Sequence, residues 1–118
     1  MAVDEPSLLT MMREQLENLG YQVVPVRTGA AAWNLIESGL AFDILISDIV
    51  MPGGIGGYEL ARRVARKDPD IPIILLSGYA GHSDEVASDV TAQFLTKPCP
   101  PDVLDKALRT LLDQRVKR

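Results

Sequence analysis

Four residues carry groups that could act together on one substrate: Asp4, Asp48, Ser77 and Lys97. Each closes a short apolar run. From Asp4 it is 44 residues to Asp48, 29 more to Ser77 and 20 more to Lys97. Paired carboxylates can hold Mg²⁺, a hard cation that takes oxygen ligands and keeps some of its waters. A carboxylate beside such an ion can attack a phosphoryl group and become an acyl phosphate. The metal and an ammonium then neutralise the phosphoryl oxygens, and a hydroxyl can donate to one of them. Gly78, next to Ser77, leaves room for a bulky donor. Taken singly, an acid at such a place reads as a solvated loop residue or a helix cap. Four compatible groups closing four apolar runs argue for a shared site.

The elements that must position them alternate. Residues 21–26, 41–47, 71–77 and 93–96 are short apolar runs with β-branched residues, and residues 1–3 form a very short first one. Ile44, Ile46, Ile73, Ile74, Leu75 and Leu76 make the central runs nearly continuous, as in strands covered on both faces. Between the runs lie helical patterns. Leu8, Leu9, Met12, Leu16 and Leu19 lie on one face, ended by Gly20; Ala32, Trp33 and Ile36 on a second, ended near Gly39. Leu60, Ala61 and Val64 mark a third helix, with Arg62, Arg63, Arg66 and Lys67 turned outward; residues 83–89 read as a short, weakly patterned fourth. Leu104, Ala107, Leu108, Leu111 and Leu112 mark the last, with Pro101 and Asp102 in its first turn. Strand–helix alternation implies an α/β fold: a parallel sheet with helices on both faces. In such a sheet ligands sit at the carboxyl ends of the strands, where the four residues fall.

Composition narrows the classes. The 118 residues are read as one domain, 1–118, with 47% apolar content, enough for a core. Twelve basic against sixteen acidic residues leave a net charge of −4, which argues against direct nucleic-acid binding. A single cysteine, Cys99, and a single histidine, His82, exclude an internal disulfide and a tetrahedral Cys/His zinc site. No apolar run approaches the ~20 residues of a membrane span, and the first residues lack the pattern of a signal peptide. A cytoplasmic protein without membrane insertion is expected.

These fragments resemble the receiver domain of two-component response regulators, across essentially the whole chain. Asp4-Glu5-Pro6 is similar to the acidic loop after the first strand, and Asp48-Ile49-Val50-Met51-Pro52-Gly53 to the phosphoacceptor aspartate and its turn. Ser77-Gly78-Tyr79-Ala80 and Lys97-Pro98 resemble the hydroxyl-bearing strand end and the lysine with its cis proline. The resemblance implies a flavodoxin-like, doubly wound, five-stranded parallel sheet of order 2-1-3-4-5, its first strand shortened. It implies that Asp48 takes phosphate from a histidine kinase or phosphotransfer domain. Asp4, Asp48 and the backbone carbonyl of Val50 would bind Mg²⁺, Lys97 would pair with the phosphoryl group, Ser77 would swing to it, and Phe94 would be the aromatic switch. The surface of the fourth helix, fifth strand and fifth helix would then control a downstream partner. The Met-Pro-Gly-Gly turn with Ser-Gly-Tyr-Ala is similar to receivers attached to hybrid histidine kinases.

The sequence departs from the family pattern in places. Val3 stands where the first of two acids is usual, which predicts weaker Mg²⁺ binding, and Glu5 is one residue too far along to substitute. The loop 51–57 is one residue longer than usual and glycine-rich, and is read as a turn before the third helix. Val50 and Tyr79, each two residues past Asp48 and Ser77, cannot readily orient an attacking water, so slow self-dephosphorylation is expected. Cys99 is read as a small buried hydrophobe, His82 as solvated, Trp33 as core and the Arg62–Lys67 cations as a solvated face. A second reading is a degenerate receiver that binds partners without phosphorylation, suggested by Val3. An aspartate-nucleophile phosphatase would need an acid at position 50. A flavin mononucleotide carrier would need a phosphate cradle where Asp4-Glu5 would repel phosphate.

Overall fold

The computed structural model describes residues 1–3, 5–51, 54–77, 92–96 and 100–116. In chain order it contains α1 (Pro6–Asn18), α2 (Gly29–Glu37), β1 (Leu45–Asp48), α3 (Gly57–Lys67), β2 (Ile73–Ser77), β3 (Gln93–Thr96) and α4 (Pro101–Val116). The fifth strand and last helix of the sequence pattern are β3 and α4. The fourth helical pattern, 83–89, lies outside the described residues.

The strands pair in parallel in the order β1-β2-β3, with Asp48 opposite Leu76 and Ser77 opposite Thr96. On the far side of β1, Ala2 bridges both Ser47 and Val26 in parallel. The spatial sequence Val26, Ala2, β1, β2, β3 is therefore the expected 2-1-3-4-5 order, with its first two members reduced to single bridges. The expectation of a strand over 21–26 is corrected: only Val26 pairs. It meets Ala2 in a single bridge, and Pro25 has no N–H to give. Both central strands also start later than their apolar runs, at Leu45 and Ile73.

Period-two alternation divides the core. Leu45, Ile73 and Leu75 pack with Ala32 and Ile36 of α2 and Leu60, Ala61 and Val64 of α3. Ile46, Ile74 and Leu76 pack with Leu9, Met12 and Leu16 of α1 and Leu104, Ala107 and Leu108 of α4. Covered on both faces, β1 and β2 are buried at every residue. The glycines expected to stop α1 and α2 do so: Gly20 and Gly39 take φ of 100° and 102°, a left-handed turn open to glycine. Trp33 is a correction to the core reading. It is only partly buried against the α2–α3 cluster, with the Arg63 guanidinium 5.4 Å from its ring centroid. Arg62 and Arg63 are likewise not simply solvated, since both pair with Glu59, at 3.8 and 3.0 Å.

Candidate functional site at the carboxyl edge of the sheet

Asp48 is the last residue of β1 and is 1% exposed. Its backbone is held from both sides: its N–H donates to the Ala2 carbonyl at 2.8 Å, and the N–H of Ile49 donates to the Leu76 carbonyl at 3.0 Å. Ser77 ends β2, one residue beyond Asp48's partner Leu76, and is 5% exposed. A carboxylate and a hydroxyl thus close adjacent strands at the same edge, both buried where such residues are mostly exposed.

Val50 is 75% exposed, so the chain turns outward within two residues of Asp48. Phe94, opposite Leu75 in β3, is partly buried against the α2–α3 cluster. Asp4 and Lys97 lie outside the described residues, as do Gly78, Tyr79, His82, Pro98 and Cys99. The structure therefore brings Asp48 and Ser77 together at one edge, with Val50 at its rim and Phe94 one strand away. Among the described residues no three carboxylate, imidazole or thiol groups cluster. Val3 is fully buried in the α1–α4 cluster and its side chain has no oxygen to offer.

The place of Glu5 follows from the start of α1. Its carboxylate accepts the N–H groups of Ser7 at 3.1 Å and Leu8 at 2.6 Å, capping the helix ahead of Pro6. The Leu8 N–H, then the Ser7 N–H, hold its pKa below the usual carboxylate range. Glu5 is committed to the helix, in line with its exclusion as a substitute for the acid missing at Val3.

Two further residues frame Asp48. Ser47 is fully buried, and its hydroxyl donates to the Asp48 carbonyl at 2.9 Å. Gly57, the first residue of α3, packs so close that a Cβ there would fall on the same carbonyl oxygen and against Cα of Ile49. The signal for Ser47 was legible: it is the one hydroxyl in the run Ile44-Leu45-Ile46-Ser47. The role of Gly57 was masked by the surrounding glycines.

The comparisons with known proteins agree with this architecture. The response regulator receiver domain family matches residues 1–109, and the chain belongs to that family. It is 35% identical to the response regulator receiver protein CpdR of Brucella abortus over 100 residues, 83% of this chain and 82% of CpdR. It is 32% identical to the sensor kinase CckA of the same organism, covering 85% of this chain but 11% of CckA. A crystal structure of a response regulator receiver protein from Sinorhizobium medicae superposes with a TM-score of 0.88 at 32% identity, over 97% of this chain and 92% of that one. The chain spans less than half of several other curated relatives, 42% of one and 25% of another. The protein is thus a receiver domain of the two-component system, with the flavodoxin-like fold of its neighbours. Such domains are signalling modules that meet histidine kinases and downstream effectors. Among the described residues no helix is long and apolar enough to cross a membrane.

Proposed function

We propose that this receiver is a phosphoacceptor switch, with Asp48 taking a phosphoryl group from the phosphohistidine of a kinase or phosphotransfer domain. The observation that carries the reading is the buried Asp48 carboxylate at the end of β1, its backbone fixed by Ala2 and Leu76. In the transfer the P–N bond to the donor imidazole breaks, the ring nitrogen keeps the electron pair, and a carboxylate oxygen of Asp48 forms the new P–O bond. Ser77, one residue past Asp48's partner, donates its hydroxyl to the phosphoryl group, and Lys97 neutralises it. Phe94 and the surface of β3, α4 and the segment before β3 pass the change to a partner in the cytoplasm.

The donor set fits Mg²⁺ in kind. The Asp48 carboxylate and the Val50 carbonyl are hard oxygen donors at the carboxyl edge of the sheet, and the family motif would supply Asp4 as a third. Bound there, the ion would supply positive charge to the phosphoryl oxygens. With Val3 apolar, binding weaker than in a fully acidic site is expected.

The test is intact-mass measurement after incubation with a small-molecule phosphodonor and Mg²⁺. A single phosphoryl adduct, absent without Mg²⁺ and absent in Asp48→Asn, is the expected result. An adduct that persists in Asp48→Asn overturns the assignment. The exposed, apolar Val50 supports slow loss of the phosphoryl group, and Val50→Asn is expected to shorten its half-life; an unchanged half-life refutes that role. The buried Val3 favours one second reading, a receiver that binds partners without phosphorylation. Absence of both metal binding and adduct on folded protein, restored by Val3→Asp, would establish a site disabled at that position.

A further inference from the structure

The peptide carbonyl of Asp48 is boxed in. Alternation along β1 puts Ser47 on the side of the sheet covered by α3, and there its hydroxyl donates to the Asp48 carbonyl at 2.9 Å. Gly57 closes on the same oxygen from the first turn of α3, and its own N–H donates to the Ile49 carbonyl at 2.8 Å. The N–H of that same peptide, on Ile49, donates to the Leu76 carbonyl of β2 at 3.0 Å. Three elements therefore meet on one peptide, the one that precedes the turn to Val50.

A hydroxyl here is not what packing alone selects. Ser47 is fully buried beside Leu45, Ile49 and Leu75, where an aliphatic side chain would bury more apolar surface. A buried hydroxyl is kept where it has a partner, and its partner is the backbone of the residue that does the chemistry.

We infer that Ser47 is a positioning residue for Asp48: its hydroxyl, with the side-chain-free contact at Gly57, holds the Asp48 peptide so that the carboxylate keeps one aim. The inference rests on the reading of Asp48 as phosphoacceptor, and it deepens that reading. Small errors in the placement of a nucleophile cost rate more than binding. Ser47→Ala is therefore expected to lower the maximal rate of adduct formation about tenfold, with the half-saturating phosphodonor concentration unchanged. Ser47→Thr, which keeps the hydroxyl, is expected to restore most of the rate. If the added methyl prevents folding, Ser47→Cys, close in size with a weaker donor, should fall between serine and alanine.

A second readout separates positioning from simple loss of stability. By amide hydrogen exchange, Ser47→Ala should speed exchange at Gly57, whose N–H is bonded to Ile49, while Ile74 and Leu75 in β2 stay protected. A folded Ser47→Ala with parental rate and exchange overturns the inference, and so does an equal acceleration across β2. If the parent protein forms no adduct, the phosphoacceptor reading fails, and the exchange pattern alone still decides whether Ser47 holds this peptide.

Discussion

Residues 73–77 and 21–26 have much the same apolar, β-branched character, yet one is a strand in the middle of the sheet and the other pairs at a single residue. The difference lies in their neighbours. β2 has β1 on one side and β3 on the other, with helices over both faces. Residues 21–26 pair in one bridge, Val26 with Ala2, and are otherwise tied down piecemeal. The Met1 amine donates to Val24 at 2.9 Å, the Val26 N–H to Met1 at 2.9 Å, and the Tyr21 hydroxyl to Asp105 of α4 at 3.0 Å. Beneath this margin lies a cavity of about 480 Å³, lined by Tyr21, Val23, Ile36, Ile44 and Leu108 among others. At the opposite end, the Asp48 N–H donates to the Ala2 carbonyl at 2.8 Å and the Ile49 N–H to the Leu76 carbonyl at 3.0 Å. Among the described residues, the centre of the sheet is held by continuous ladders and the 21–26 margin by single bonds.

The contrast can be broken most sharply by one kind of truncation made in both places. Leu75→Ala in β2, a fully buried residue, is expected to cost about 2–5 kcal/mol. Val24→Ala, at 45% exposure, is expected to stay within about 0.5 kcal/mol. Chemical denaturation of both variants decides it, and comparable losses would show that the margin is as tightly built as the centre. An intermediate effect is expected for Tyr21→Phe. It removes the bond to Asp105, which still holds Arg109 at 3.0 Å, so the loss is about 1 kcal/mol. Faster amide exchange confined to residues 21–26 would locate that loss at the margin; a change spread over β2 would contradict it.

The same contrast explains what was legible in the sequence. Continuous apolar runs and helical spacings identified the central strands and helices, because burial on both faces leaves a composition signature. Asp48 and Ser77 were legible as polar residues closing such runs. The state of 21–26 was not, because pairing is a property of the neighbour and composition cannot report it. Nor was the Trp33–Arg63 contact, which depends on how α2 meets α3. Asp4 and Lys97 remain assignments by motif.

The smallest expected effect concerns the acid that ends the margin's first segment. Glu5 stands beside Asp4, yet its carboxylate is bonded to the first turn of α1. With its pKa held below the ordinary value by those N–H groups, its contribution to stability is complete above the unfolded-state carboxylate pKa. That contribution is lost as pH falls through the lower folded-state value. Glu59 is depressed in the same sense by Arg63, so the acid melting of the parent alone does not isolate Glu5. The difference between parent and Glu5→Gln does. That difference should be small, largest near neutral pH, and should vanish at pH values below the folded-state pKa of Glu5. A difference independent of pH would mean that the charge on Glu5 is not what the helix uses. Adduct formation and its Mg²⁺ dependence should be unchanged in the same variant. Loss of the adduct would transfer Glu5 from the helix to the site, and would give the acidic loop the second carboxylate that Val3 withholds.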